Sequence, residues 1–439
     1  MYQLTRTISF KFLIIGIMSL FMLIPAAWIR SIIIERQERQ TEVLNEISAS
    51  WGGSQTLAGP ILTIPYKKVI EIEGKESKVQ TEYAHFLPSL LKVSSQIDPE
   101  IRYRGIFKIA VYNSSFQTEG SFEWPDLESL GINLENADLK NAVISMGITD
   151  MRGVKNEVNF LLQGTKLEII PGVPVRDLFS SGLHCKVDLS KIQAEQKLDF
   201  NYSLSLNGSN SLNFYPVGKL SEFSVKSSWT SPSFEGEFLP VTRELTNEGF
   251  NASWLITDLN RNYPQSWVNK SYSIENSGFG IGLLLPVSHY QQADRSVKYA
   301  IMFLGLTFLL FLLIEILNKK RLHPIQYFLT GLSLTVFYIL LLSISEQIGF
   351  AYAYLCSSIA VVGLISFYIH GSYKNIKYTS ITGSLLALLY GILYVILQLQ
   401  DYSLLIGSIG LFIVLGTFMF LTRNINWYHE DSETEIEGD

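Results

Sequence analysis

Six apolar runs without a charged residue punctuate the chain, at 12–29, 299–314, 324–345, 347–369, 378–400 and 402–422. At about 1.5 Å per residue, the longer runs cross the roughly 30 Å hydrocarbon core of a bilayer. A buried helix of a soluble protein explains one such run, but not the recurrence. Between the first run and the second, hydrophobic and polar residues alternate, which is the period of a half-buried strand. The pattern predicts a membrane protein of the α+β class. It has six transmembrane helices, one N-terminal and five C-terminal, and a large, mostly antiparallel β domain outside the cytoplasm. The expected boundaries are 1–30 for an N-terminal anchor and 31–298 for the β-rich domain, with a helical stalk at its start. A five-helix block follows at 299–423 (about 299–317, 324–345, 349–369, 379–399 and 402–422), then an acidic cytoplasmic tail at 424–439.

The first run follows Arg6 and Lys11, as a secretory signal would. Its length, and the lack of a small-x-small site at Ala26-Ala27-Trp28-Ile29, predict an uncleaved anchor instead. Beyond it, Ile32, Ile33, Val43, Leu44 and Ile47 form a broken apolar stripe among Glu35, Arg36, Glu38 and Arg39, so the helix continues as a stalk. Lys and Arg concentrate in cytoplasmic loops. With six spans, Arg6, Lys11, Lys319, Lys320, Arg321, Lys374, Lys377 and Arg423 share one face. The short loops of the other face hold Glu346 and Asp401 and no Lys or Arg. Both termini are thereby expected in the cytoplasm.

Within the β-rich part, Phe200, Tyr202, Leu204 and Leu206 alternate with polar residues up to Asn207-Gly208, and Leu212 and Phe214 resume the alternation. This predicts a hairpin turning at Asn-Gly. A second hairpin is expected from 68–73 and 79–83 around Gly74, with Val79, Thr81 and Tyr83 on one face. Trp229, Phe234, Phe238, Leu239 and Trp254, among the turn residues Pro232, Gly236 and Pro240, predict a buried corner between strands. An exposed aromatic binding face is the rival reading. Arg243, in the same block, is a further candidate.

Charge and cysteine narrow the function. The formal net charge is −6, and the tail carries Glu430, Asp431, Glu433, Glu435, Glu437 and Asp439 without a cation. The rest is balanced, so no nucleic-acid face is expected. Cys185 and Cys356 fall in different compartments, which excludes a disulfide between them. There is no phosphate loop, no zinc-spaced Cys or His set and no nucleophile elbow, so no cofactor, metal or catalytic residue is assigned. Gly278-Phe279-Gly280-Ile281-Gly282 lacks dinucleotide-loop spacing. His184 and Cys185, adjacent on a strand, would point to opposite faces.

The membrane block has few ionisable groups. Glu315 lies near the cytoplasmic end of its helix and Glu346 at the outer end of the next, away from mid-bilayer, where an ion pathway would place them. Glu315 is expected to pair with Lys319 at i,i+4, or to join Arg321 and His323 in a clamp between two helices linked by a short turn. Gly383, Ala387 and Gly391 recur every four residues and predict a close helix–helix packing face.

Five blocks carry a resemblance: "LAGPILTIPY" (57–66), "SSWTSPSFEGEFLPVTRELTNEGFNASW" (227–254), "DRSVKYAI" (294–301), "RLHPIQYFLTGLSLTVFYILLLSISEQIGF" (321–350) and "FLTRNINWY" (420–428). In this order they resemble the CreD family of bacterial inner-membrane proteins of cell-envelope integrity. The resemblance implies an inner-membrane location, a large periplasmic domain and a link to envelope stress, β-lactam susceptibility and colicin tolerance. It implies no reaction. The expectation is a non-enzymatic protein whose partners are the lipid bilayer and another envelope protein or cell-wall component, with the oligomeric state open. The alternatives are a transporter or lipid-handling protein and a periplasmic hydrolase.

Overall fold

The computed structural model describes residues 8–70, 78–155, 158–193, 196–283, 289–318, 322–399 and 403–423. The chain forms two compact units, 41–286 and 1–40 together with 287–439.

The unit 41–286 is built on β1 (Gln55–Ile70), β2 (Lys78–Phe86), β3 (Leu90–Arg104), β4 (Phe107–Phe122), β5 (Ala142–Ile148), β6 (Asn159–Leu162), β7 (Thr165–Leu167), β8 (Ile170–Pro171) and β9 (Gly182–Val187). They are followed by β10 (Leu198–Ser209), β11 (Ser211–Phe214), β12 (Leu220–Ser227), β13 (Pro232–Gly236), β14 (Thr242–Thr246), β15 (Gly249–Thr257), β16 (Ser266–Val268) and β17 (Phe279–Leu283). A nine-stranded sheet runs β13-β17-β11-β1-β5-β9-β8, with β2 beside β1 and β16 beside β2. An eight-stranded sheet runs β14-β15-β12-β3-β4-β10-β6-β7. The sheets are mixed: β1 lies parallel to β11 and β3 to β12, among antiparallel ladders. Both line one core, with ring centroids of Phe116 and Phe214 6.2 Å apart and those of Phe223 and Phe279 4.9 Å apart. In β3, Leu91, Val93 and Ile97 point inward and Ser94 and Gln96 outward, as a sheet covered on one face requires.

The second expected hairpin forms, with Val69 opposite Val79 in the β1–β2 ladder; its turn lies outside the described residues. Val79 and Thr81 are exposed, and burial begins at Glu82. The first expected hairpin does not form. β10 pairs with β4 and β6 in one sheet, whereas β11 pairs with β1 and β17 in the other. Asn207-Gly208 is no turn, because Gly208 is where the Tyr112 ring packs: a Cβ there would sit 2.3 Å from the Tyr112 hydroxyl. The chain redirects at Asn210, whose φ of 64° is left-handed. Period-two alternation thus located the buried faces of both strands while their ladder partners were different ones.

In the other unit, α1 (Ile8–Trp51) begins, and α2 (His289–Lys298), α3 (Ala300–Asn318), α4 (Pro324–Ile348), α5 (Phe350–Tyr373), α6 (Ile376–Gln398) and α7 (Ser403–Thr422) follow. Among the described residues, α1, α4, α5 and α6 are each long and apolar enough to cross a membrane. The pair α2 and α3, bent by 49°, passes that test together, and α7 contributes a shorter apolar stretch, Leu405–Thr417. The amphipathic α2 buries Tyr290, Ala293, Ser296 and Val297 and packs on α4 and α6, so it belongs to this unit, which resumes at Val287.

Candidate functional site

The block 227–254 wraps the side on which both sheets end. The chain leaves β12, crosses to β13 at the margin of the nine-stranded sheet, returns as β14 at the margin of the eight-stranded sheet and turns into β15. Trp254 is 2% exposed, its Nε1 donates to the Phe238 carbonyl at 3.1 Å, and its ring centroid lies 5.5 Å from Phe279 and 5.9 Å from Phe234. Phe238 meets Phe279 edge-on at 6.0 Å. Trp229, Phe234 and Phe238 are half-buried, and Trp229 Nε1 donates to the Ser231 carbonyl at 3.1 Å. The expected corner is therefore present around Trp254.

Leu239 departs from that expectation: it is 69% exposed. It lies in the β13–β14 link, where neither sheet covers it. β14 is exposed along its whole length. Arg243 stands opposite Ala252 and Leu245 opposite Phe250. Residues directly opposite share a face of the sheet, so both side chains project on the core-facing side but beyond the reach of the other sheet. Leu239, Val241 and Leu245 make an apolar ledge beside Arg243, and among the described residues β14 has β15 on one side only.

The two membrane-block carboxylates lie at opposite ends of α4. Glu315, 4% exposed on α3, accepts from the Leu322 amide at 3.1 Å and from the Tyr327 hydroxyl at 2.8 Å. Arg321 and Lys319 lie outside the described residues. His323 is not turned to Glu315: it caps α4, Nδ1 accepting from the Ile325 amide at 3.3 Å while Gln326 accepts from the His323 amide at 3.0 Å. The first amides of a helix lack intrahelical partners, and a side chain two residues away serves them more directly than a carboxylate on another helix. Among the described residues the helix–helix bridge is Tyr327 to Glu315. At the far end of α4, Glu346 accepts from Tyr290 on α2 at 2.9 Å, with Arg36 of α1 at 4.0 Å. Asp294 of α2 binds Arg30 of α1 at 2.8 Å and Lys298 at 2.7 Å. The sequence reading missed Tyr290 and Asp294. The available signal was the i,i+4 pair Asp294–Lys298 on a short amphipathic stretch.

The family model described as "Inner membrane protein CreD" matches residues 7–428. The chain belongs to the CreD family. The Inner membrane protein CreD of Escherichia coli (strain K12) is 33% identical over 414 residues, 93% of this chain and 91% of that protein. As a CreD-family inner-membrane protein, this chain shares with the family the length that holds the β13–β14 corner and both carboxylate clusters.

Thr63 and His85 face each other across the β1–β2 ladder, Oγ1 3.0 Å from Nδ1, and His85 Nε2 lies 3.9 Å from Asp177. The order hydroxyl, imidazole, carboxylate is that of an activated nucleophile. Thr63 and His85 are both fully buried inside the sheet, however, so a substrate cannot reach the hydroxyl. Burial holds the His85 imidazole down at about 4 and pushes the Cys185 thiol up to about 12, which keeps both neutral at pH 7. His184, beside Cys185 on β9, contacts the Gly172 carbonyl at 2.8 Å. Among the described residues no three His, Cys, Asp or Glu side chains converge as metal ligands.

Proposed function

We propose that the protein supports cell-envelope integrity without catalysis, by binding another envelope component through its β domain at the β13–β14 corner. In this reading six spans place both termini in the cytoplasm and the β domain in the periplasm. The distribution of Lys and Arg among the short loops supports that orientation. The single observation that carries the binding role is the open β14 edge beside exposed Leu239, Val241 and Leu245. Soluble domains ordinarily blunt such an edge, and an extended segment of a partner can pair with it, side chains alternating over the ledge. Partner selection would draw on Arg243, for which a carboxylate is the natural complement.

A photo-crosslinking residue at Thr242 or Glu244, on the outward side of β14, tests this in intact cells. The expected result is a discrete adduct that Arg243→Glu and Leu245→Asp abolish. The absence of any adduct from positions along β14, with the protein folded in the membrane, would overturn the assignment. A transport role draws less support, because Glu315 and Glu346 lie at the ends of α4 and bind locally.

A further inference from the structure

The helices α5 and α6 form an antiparallel hairpin closed by Lys374 and Asn375. Near that link they touch closely: a Cβ on Gly383 would sit 2.9 Å from Ser366 Oγ. Toward the other end both helices line a groove. The expected packing face of Gly383, Ala387 and Gly391 therefore holds at Gly383 and fails at Gly391, where an added Cβ meets nothing within 4 Å. This groove of 690 Å³ opens there, lined by residues between 351 and 363 of α5 and between 387 and 394 of α6. Its floor is fixed. Tyr354 donates its hydroxyl to the Tyr390 carbonyl at 2.8 Å, and the rings of Tyr354 and Tyr394 lie 5.1 Å apart. Tyr390 in turn packs on Phe303 and Phe337 at 4.5 and 4.8 Å. This aromatic stack forms the base of the groove.

We infer that this groove holds one hydrocarbon tail of a membrane lipid from the leaflet opposite Lys374, as a resident rather than a passing neighbour. The inference rests on reading α5 and α6 as membrane spans. Three observations select a lipid tail. First, the lining is apolar, with Leu355, Ile359, Val362 and Ala387 along it, and a void in such a place is costly unless filled. Second, the stretch 351–363 measures roughly 18 Å along the helix, against roughly 15 Å for the hydrocarbon depth of one leaflet. Third, the groove ends where Gly383 meets Ser366, so it covers one half of the hairpin, whereas a helix from a second copy would run along its whole length. A groove one leaflet deep matches a single lipid tail rather than a helix that crosses both leaflets.

The test uses full-length protein in phosphatidylethanolamine–phosphatidylglycerol vesicles doped with a phosphatidylethanolamine that carries a diazirine in its tail. After irradiation, adducts are mapped by mass spectrometry. The expected result is a severalfold excess of adducts on 351–363 and 387–394 over the lipid-facing Leu332, Val336 and Ile339 of α4. Gly363→Leu and Gly391→Leu, which point into open space and leave melting unchanged, should remove that excess. Even labelling of all lipid-facing positions overturns the proposal, as does an excess that survives both substitutions. A dimer whose groove is shielded from adducts overturns it in favour of a second copy. No adducts on α4, α5 or α6 would refute the membrane reading itself.

Discussion

The Tyr327 hydroxyl donates to the Glu315 carboxylate at 2.8 Å, tying α4 to α3 where both side chains are buried. Removing either partner strands a buried polar group, at a cost of about 1–3 kcal/mol. Tyr327→Phe and Glu315→Gln should each lower the melting temperature of the protein in detergent. Their double mutant should lose less than the sum, since the two changes remove one shared interaction. His323→Ala should cost about 1 kcal/mol through loss of the α4 cap and add independently to Glu315→Gln. Coupling between His323 and Glu315 would instead restore the clamp.

His85 makes the β domain sensitive to acid. Its ordinary value of 6.5 falls to about 4 in the folded state because burial disfavours the charged ring. The unfolded chain therefore binds more protons between those two values. Stability is complete above about 6.5, falls as pH drops toward about 4, and levels off below, by up to about 3 kcal/mol. The groups facing the ring are Thr63, Trp267, Asp177 and, beyond Asp177, Lys270. His85→Gln should flatten the loss over this range. Asp177→Asn, which removes a carboxylate 3.9 Å from the ring, should carry the loss to lower pH. Chemical denaturation at a series of pH values reads both slopes.

The apolar runs and the β alternation were legible in the sequence because each reports one periodicity of burial. What was not legible depended on contacts between distant segments. Leu212 and Phe214 announced a buried strand, but only the Tyr112 ring over Gly208 shows why the chain straightens through Asn-Gly and changes sheets at Asn210. Glu346 was found by its position after an apolar run, whereas its donor Tyr290 sits on a helix too short and polar to register as part of the membrane block. Leu239 carried the same hydrophobic signal as Trp254, and only its place beyond the sheet margin leaves it exposed.

Topology is checked with introduced cysteines in a Cys356→Ser background, where the remaining native thiol, Cys185, is fully buried. Leu259→Cys, at a position 91% exposed in the β domain, should react with a membrane-impermeant maleimide in cells with a permeabilised outer membrane. Asn375→Cys, in the α5–α6 link, should react only after lysis. Labelling of position 375 in sealed cells would reverse the orientation.

The corner separates folding from binding. Trp254 is 2% exposed, so Trp254→Ala should cost about 3–5 kcal/mol and deplete the protein from the membrane. Trp229 is half-buried and packs at the margin of the core, so its truncation should cost less. Arg243 and Leu245 are exposed on β14, and exposed substitutions away from special features change stability by about 0.5 kcal/mol or less. Arg243→Glu and Leu245→Asp should accordingly leave melting intact while abolishing the β14 cross-link, because they place charge on the ledge that an incoming strand must cover. If they instead lower melting as Trp254→Ala does, the ledge is part of the fold and the binding assignment fails. If melting and cross-linking both persist, the partner reaches the backbone of β14 alone, and selection by Arg243 is excluded.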